Sequence, residues 1–448
     1  MLPVAFFTYL KKIKKYQDKC CLDLINLTSI IQHKLFRNSF IYTSSNIVVA
    51  AVPFLLLPIL TRYLTPYEYG IIATFQILEA IAIGFVSLDM QGVFSVNYFK
   101  LSQPELKIYV GNLALILLVN FFTTLAIIYL LRTPLSLLIN FPESWLSIIV
   151  IVALFQSIVA ITLTLWQVEQ KPIPYGIFQI FQIGLNVTLS LIFVVLLAWH
   201  WQGRLLGIMI PSFIFGIVGI LVIYKRKYIK FSFNKEYIKD ALSFCIPLIP
   251  HTLGGLIMLA TGRLFINSMV NVAETGIYTV GYQVGMIISL LATSFNRAWA
   301  PFLFEKLKQN NDASKIKIVK LTYLYFVVII FLALALSFVA PWFLKFFVSK
   351  NFHSADQYVI WIALGYAANG MYFMVVNYIF YVKKTYLLAW ITLSTAGINV
   401  ILSYCFIKAN GSIGAAQAMT VSYLIIFILS WILSAKVYKM PWQLTRSC

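Results

Sequence analysis

The sequence carries very little charge for its length. Only 11% of its 448 residues are charged, against about 25% in an ordinary soluble domain, and just 14 are acidic. So few charges do not cover a water-soluble surface when 61% of the residues are apolar. The composition therefore excludes a soluble enzyme and a disordered chain.

Motifs that carry chemistry are also missing. The five cysteines, Cys20, Cys21, Cys245, Cys405 and Cys448, are odd in number and have neither metal-ligand nor redox spacing. There are four histidines, but no phosphate-binding glycine loop, no paired histidines at helical spacing and no nucleophile elbow. These absences argue against a disulfide scaffold and against catalysis, and they predict that no metal or cofactor is bound.

Long apolar runs take the place of charge. The apolar share amounts to about 273 side chains, and a helical span needs about 20 residues, so there is material for at most about 13 spans. Outer-membrane barrels do not contain such runs, because their strands alternate polar and apolar residues. We therefore predict an all-α polytopic membrane protein of about twelve transmembrane helices. The predicted spans lie near residues 39–60, 70–97, 108–131, 145–167, 175–199, 205–224, 241–265, 276–298, 321–340, 357–382, 386–407 and 413–435.

The net charge of +20 is distributed by position. With twelve spans, the two termini and every second loop share one side of the membrane. That side holds 27 of the 34 lysines and arginines, and the other side holds 7. The positive-inside rule then places both termini in the cytoplasm. The charge is thus a topology signal, and no nucleic-acid partner is expected.

A basic linker divides the chain into halves of six predicted spans. The predicted parts are a basic cytoplasmic segment 1–37, an N-terminal lobe 38–224, a linker 225–240, a C-terminal lobe 241–435 and a cytoplasmic tail 436–448. The first segment suits either an amphipathic helix on the membrane or a solvated tail. The sequence Glu68–Ile71 is echoed by Glu274–Ile277, which suggests two parallel repeats around a central cavity.

Glu79 and Asp89 are the acidic residues that fall clearly inside a predicted span. Ionisable groups in hydrocarbon are costly and mark function by default. On a continuous helix the two would lie about 80° apart. We predict an ion-coupling site at these residues, chiefly at Glu79 near mid-depth, with an interhelical hydrogen bond as the structural alternative. Asp89 lies nearer the cytoplasmic end, where a solvated or paired carboxylate explains it equally well.

Arg263, Arg297 and His251 are candidates for contact with substrate. Arginines at span ends usually anchor a helix at the interface, but small or polar residues flank both Arg263 and Arg297. His251 stands beside two prolines in an apolar span, where a lone histidine is more often structural than a ligand. Asn296, Asn369 and Asn377 lie on polar helical stripes, which either mediate helix packing or line a hydrated cavity.

Three stretches together resemble the polysaccharide and O-antigen flippases of the multidrug, oligosaccharidyl-lipid and polysaccharide exporter superfamily. They run from Phe36 to Gly70, from Ser243 to Ile266 and from Gly276 to Glu305. Their order, the span count and the central basic linker agree with that family over residues 36–435. One position departs from the family, which often has an acidic residue immediately before the arginine of the second stretch, where this chain has Gly262.

The resemblance implies a two-lobed bundle in a bacterial cytoplasmic membrane that flips an undecaprenyl-diphosphate-linked oligosaccharide by alternating access. It also implies coupling to a proton or sodium gradient, contact with membrane lipids, and functional association with a glycan polymerase and glycosyltransferases. Three alternatives remain open. They are a drug/cation antiporter of the same superfamily, a membrane-embedded glycosyltransferase or polymerase, and a purely structural membrane subunit. Two carboxylates within the spans are few for a cation antiporter.

Overall fold

The computed structural model describes residues 41–309, 311–382 and 384–443, without the side chains of residues 248, 250, 251, 385 and 386. Within these ranges the regular structure is helical and no strand is present. The helices are α1 Ile41–Tyr63, α2 Pro66–Ser87, α3 Met90–Tyr98, α4 Gln103–Ile139, α5 Glu143–Val168, α6 Pro172–Leu191, α7 His200–Lys225, α8 Lys235–Met269, α9 Val272–Gly285, α10 Ile287–Gln309, α11 Asp312–Phe347, α12 Asp356–Tyr381, α13 Thr385–Asn410 and α14 Ile413–Val437. A π-helical turn, Ile192–Leu196, extends α6. The predicted segment 1–37 and three of the cysteines, Cys20, Cys21 and Cys448, lie outside the described residues.

Eleven helical stretches in the described ranges are long and apolar enough to cross a membrane. The two segments of α8, Lys235–Pro247 and Thr252–Met269, make a twelfth when they are counted as one span, with a bend of 47° between them. Pro247 and Pro250 lie in the sequence at this bend. Proline lacks the N–H that would continue the helical hydrogen bonds, which accounts for the bend. The prediction of an all-helical protein with about twelve spans is confirmed.

The connection between α7 and α8 lies at one end of the bundle, the linker end. The linker end contains residues 226–234, the end of α5 and the start of α6, and the opposite end contains the starts of α2, α7 and α9. The halves meet where α2 packs against α9 and where α4 packs against α8. The sequence predicts that the linker end is cytoplasmic.

The crossing of α2 and α9 is reciprocal. A Cβ atom added to Gly70 would overlap the carbonyl oxygen of Val272, and one added to Gly276 would overlap the carbonyl oxygen of Pro66. Each glycine therefore meets the carbonyl four residues before the other glycine, and the two echoed sequences lie face to face. This is the contact expected of two halves related by an axis along the membrane normal.

The second predicted span is not one continuous helix. Leu88 and Asp89 both adopt left-handed backbone conformations, with φ of 44° and 56°, and they separate α2 from α3. The angle of about 80° predicted between Glu79 and Asp89 is therefore wrong, because it assumes an unbroken helix. The eighth span, by contrast, runs on through Met286, which separates α9 from α10 but keeps right-handed helical torsions and donates its backbone N–H to the carbonyl oxygen of Tyr282.

The linker is shorter than the predicted residues 225–240 and is hydrogen-bonded to α4. Helix α7 continues to Lys225 and α8 starts at Lys235, which leaves residues 226–234 between them. The side chain of Asn112 donates to the carbonyl oxygen of Ser232 at 2.9 Å and accepts from the backbone N–H of Asn234 at 3.0 Å. These two bonds satisfy linker backbone groups that would otherwise need water.

Candidate functional site

Arg263 lies on α8 near the opposite end of the bundle and is buried, with 8% of its surface exposed. Its guanidinium carbon lies 4.1 Å from the ring centroid of Tyr282 on α9, within the range of a cation–π interaction. The hydroxyl of Tyr282 is hydrogen-bonded to that of Tyr366 on α12. Arg263 Nε is buried without a hydrogen-bond partner in the described part of the chain. A buried cation with an unused donor is costly, so this group is suited to meet an anionic or polar ligand.

The departure at Gly262 leaves Arg263 without an acidic neighbour in sequence. A Cβ atom at Gly262 would lie 3.4 Å from the hydroxyl of Tyr278 and 3.5 Å from Cβ of Ala415 on α14. Among the ion pairs formed by described residues, none includes Arg263 within 4.0 Å. The charge of Arg263 is therefore balanced by aromatic rings and not by a carboxylate in direct contact.

Arg204 is a second buried arginine, and it was not among the residues predicted from the sequence. The sixth span was predicted to begin at residue 205, which left Arg204 in a loop, whereas α7 begins at His200. Arg204 is 6% exposed, and its Nη1 donates to Asn186 Oδ1 at 2.7 Å and to Ser190 Oγ at 2.6 Å. The signal available in the sequence was the small residue beside it, Gly203, since flanks of this kind also drew attention to Arg263.

Tyr69 lies near both buried arginines. Its neutral phenol on α2 is 4% exposed and is within range of the charges of Arg204 and Arg263. Its hydroxyl donates to Gln283 Oε1 on α9 at 3.1 Å, which joins the two halves. The opposite end of the bundle thus contains a buried cationic region formed by α2, α7, α8 and α9.

Glu79 lies deeper along α2 than Tyr69 and is half-buried. It interacts electrostatically with Arg204, although no ion pair within 4.0 Å joins them in the described structure. Asp89 stands apart from Glu79, at the break before α3, where its Oδ1 accepts a hydrogen bond from Gln91 at 3.1 Å. The two predicted ion-coupling residues are therefore in different environments, and only Glu79 shares the cationic region.

Arg297 and His251 are not part of the cationic region as far as the structure describes them. Arg297 is exposed at the middle of α10, past the midpoint of the span Val272–Gln309 toward the linker end, and its charge is within range of Tyr175 on α6. His251 lies within the bent part of α8, and its side chain is outside those described. The substrate roles predicted for both residues stay predictions.

The three predicted asparagines divide into a pair and a single residue. Asn377 Nδ2 donates to Asn296 Oδ1 at 2.9 Å, which joins α12 to α10, and also to the carbonyl oxygen of Phe373 at 2.8 Å. Asn377 is only 4% exposed, so this pair has the geometry of helix packing. Asn369 is half-buried on α12.

Glu169 anchors the linker at the end of α5. Its carboxylate accepts hydrogen bonds from Tyr228 Oη at 2.6 Å and Arg226 Nη1 at 2.6 Å, and Lys171 Nζ lies 2.9 Å away. Burial alone would raise the pKa of Glu169, but the hydrogen bonds from Tyr228, Lys171 and Arg226, with the charge of Arg226, outweigh burial and lower it. The carboxylate is therefore ionised at neutral pH and fixes the linker to the first half.

Some known proteins resemble this chain in sequence, and others resemble it in fold. A membrane protein of Haemophilus influenzae named "Uncharacterized membrane protein" is 27% identical over 358 residues, which is 78% of this chain and 85% of that protein. The solved structure of the lipid II flippase MurJ in an inward closed conformation superposes with a TM-score of 0.72 at 16% identity, covering 89% of this chain and 87% of that chain. An inward-facing multidrug resistance transporter of the MATE family superposes with a TM-score of 0.64 at 13% identity, covering 86% of this chain and 94% of that chain.

At these identities the structural matches concern the fold alone. They confirm that the bundle has the fold of the multidrug, oligosaccharidyl-lipid and polysaccharide transporters. The family model described as "Polysaccharide biosynthesis protein" matches residues 35–307, which is more than half of the chain and includes all three stretches singled out in the sequence. The protein therefore belongs to the polysaccharide biosynthesis protein family.

Proposed function

We propose that this protein flips an undecaprenyl-diphosphate-linked oligosaccharide across a bacterial cytoplasmic membrane by alternating access. Both termini and the linker end face the cytoplasm in this proposal. Family membership supports a role in polysaccharide biosynthesis, and the fold is one on which flippases and drug transporters are built. Transport, and not catalysis, is the activity proposed.

The observation that carries the proposal is the pair of buried arginines, Arg204 and Arg263, which both lie near Tyr69. A diphosphate crossing hydrocarbon unaided would meet a solvation cost of tens of kcal/mol in the idealised limit. Arginine keeps its charge at every accessible pH, and its planar fork can donate two parallel hydrogen bonds to phosphate oxygens. Arg263 Nε is already buried and lacks a partner among the described residues, so it is free to donate.

Arg297 is assigned a different step of the same cycle. It is exposed toward the linker end, whereas Arg263 is buried toward the opposite end. Arg297 would attract the diphosphate at capture, and Arg263 would hold it during translocation or release. Separate single arginines suit a transporter because a denser cluster would bind the diphosphate too tightly to release it.

Glu79 is the proposed coupling residue. It is the carboxylate on α2 that interacts electrostatically with Arg204, so a change in its protonation would change the charge of the cationic region. The gradient would be of protons or sodium ions. A drug/cation antiporter would instead need carboxylates at its binding site. Asp89 is one carboxylate on a cavity wall, near the linker end, whereas the buried charges between the halves are mainly cationic.

Binding of the carrier headgroup tests the proposal. Undecaprenyl diphosphate should raise the Tm of the purified protein, and undecaprenol, which lacks the diphosphate, should raise it much less. Arg263→Gln should weaken the effect of undecaprenyl diphosphate roughly 10- to 150-fold in affinity, because a hydrogen bond to a charged group contributes about 1.5–3 kcal/mol.

Arg62→Gln is the matched control for that experiment. Arg62 is exposed at the end of α1, a position typical of an arginine that anchors a helix at the membrane interface, so its replacement should leave the response unchanged. Equal responses to undecaprenyl diphosphate and undecaprenol, or an undiminished response in Arg263→Gln, would contradict the diphosphate role.

A further inference from the structure

A cavity of about 280 Å³ lies within the first half of the chain, beside the cationic region. Helices α1, α5, α6 and α7 form its wall. Its polar lining residues are Gln156, Gln179, Gln182, Asn186 and Ser212, and the remaining lining residues are apolar. A polar cavity is unusual in a part of the bundle that lies at membrane depth, where each polar group needs a partner.

Hydrogen bonds within the protein use only part of this polar lining. Gln156 Nε2 donates to Ser212 Oγ at 2.8 Å, and Gln182 Nε2 lies 3.5 Å from Gln156 Oε1. Gln179 Nε2 donates to Asn46 Oδ1 at 3.2 Å, while Gln179 Oε1 is buried and has no partner among the described residues. Each amide has two N–H donors and an oxygen with two lone pairs, so several donors and acceptors remain for a ligand.

A second, more open cavity of about 360 Å³ lies next to this one toward the linker end, and Ala160 and Leu163 on α5 line both. The second cavity is also lined by Asp89, Gln91, Thr164 and further residues near the linker end. In the other direction, Asn186 accepts a hydrogen bond from the buried Arg204. The amide-lined cavity thus lies between the more open cavity near the linker end and the cationic region.

We infer that this amide-lined cavity is a subsite for a neutral, hydroxyl-rich sugar residue of the transported glycan, an inference that rests on the proposed function. Sugar hydroxyls both donate and accept hydrogen bonds, as amide groups do, and the apolar lining suits the C–H faces of a sugar ring. No ionisable side chain among the described residues lines the amide-lined cavity. A cationic drug would therefore find no carboxylate there, and a phosphate would find no arginine on the wall itself.

The test is saturation-transfer NMR on the full-length protein in lipid nanodiscs, with free galactose and N-acetylglucosamine as probes. Both sugars should receive saturation from the wild-type protein, and tetraphenylphosphonium should not compete with them. Gln182→Leu removes one lining amide and should weaken binding roughly three- to tenfold, as expected for the loss of one neutral hydrogen bond. Ala160→Phe places a bulky ring on the wall that the two cavities share and should abolish the signal without removing any polar group.

Gly184→Ala is the control, since Gly184 lies on α6 and a Cβ atom there meets open space. Its signal should equal that of the wild type. The inference is overturned if neither sugar receives saturation, if Gln182→Leu and Ala160→Phe bind as the wild type does, or if tetraphenylphosphonium displaces the sugars. Failure of the proposed function is recognised separately, because wild-type protein in liposomes would then not move a lipid-linked oligosaccharide whatever the NMR shows. Flipping by a protein that binds neither sugar would overturn the subsite alone.

Discussion

The reciprocal glycine contact between α2 and α9 should be the point at which the smallest substitution has the largest structural effect. In Gly276→Ala the new methyl group would overlap the carbonyl oxygen of Pro66 and lie 2.9 Å from the backbone nitrogen of Gly70. Both are backbone atoms, so neither can rotate away as a side chain could. The two helices would have to separate by more than about 1 Å to reach an ordinary contact distance of about 3.5 Å.

The cost follows from known overpacking effects. Forcing one extra methyl group into a packed contact costs about 1–3 kcal/mol. Alanine also lowers the conformational entropy of the unfolded chain relative to glycine, which offsets about 0.4–1 kcal/mol of this cost. A net loss of one or two kcal/mol corresponds to a factor of about 5–30 in the equilibrium between the described conformation and its alternatives. The favoured alternatives would be those in which α2 and α9 part at the opposite end.

Thermal unfolding and hydrogen exchange measure this effect. Gly276→Ala should lower the Tm and speed amide exchange in both α2 and α9 near the crossing. Gly184→Ala is the same substitution in a helix where a Cβ atom meets open space, so it should leave the Tm unchanged or raise it. If Gly276→Ala behaves like Gly184→Ala, the close crossing of α2 and α9 is wrong.

Three further predictions concern topology, coupling and the linker. A cysteine replacing Lys350 should react with an impermeant maleimide from outside the cell, and one replacing Lys235 only from inside, because the positive-inside rule places the linker end in the cytoplasm; the reverse labelling would invert the assignment. Glu79→Gln should fold normally but lose gradient-driven transport, and an unchanged dependence on the proton or sodium gradient would refute its coupling role. The pKa of Glu169 is lowered in the folded protein, so its contribution to stability is full above the ordinary carboxyl pKa of about 4.3 and is lost as the pH falls through the folded-state value. The Tm deficit of Glu169→Gln should therefore be largest at pH 7 and shrink toward pH 3. A deficit independent of pH would show that the ionised carboxylate of Glu169 does not hold the linker.

The sequence was sufficient for features that depend on composition and local pattern. Twelve apolar runs gave the spans, because hydrocarbon thickness fixes how long such runs must be. The echo of Glu68–Ile71 in Glu274–Ile277 was short, yet it marked the two glycines whose helices cross. Flanking small residues singled out Arg263, which the structure places in a buried region between the halves.

Other features depend on tertiary contacts that no local pattern reports. Leu88 has no special preference for the left-handed conformation that ends α2, so the break before Asp89 was not predictable from residue type. Arg204 was misplaced because a boundary error of a few residues moves an arginine from a helix to a loop. The amide-lined cavity combines residues such as Gln156 and Gln182 from different helices, and single-helix stripes do not reveal it.

The most direct test of the central claim is transbilayer movement of a lipid-linked oligosaccharide in liposomes that contain only this protein. An undecaprenyl-diphosphate-linked disaccharide carrying a fluorophore on the sugar would be quenched by a reductant that does not cross the bilayer. The proposed function predicts that wild-type protein exposes the inner-leaflet pool to the quencher at a rate well above that of protein-free liposomes, and that Arg263→Ala, reconstituted at the same level, reduces this rate at least tenfold. A wild-type rate equal to that of protein-free liposomes would contradict the flippase proposal, and an undiminished rate in Arg263→Ala would contradict the role of the buried arginine in it.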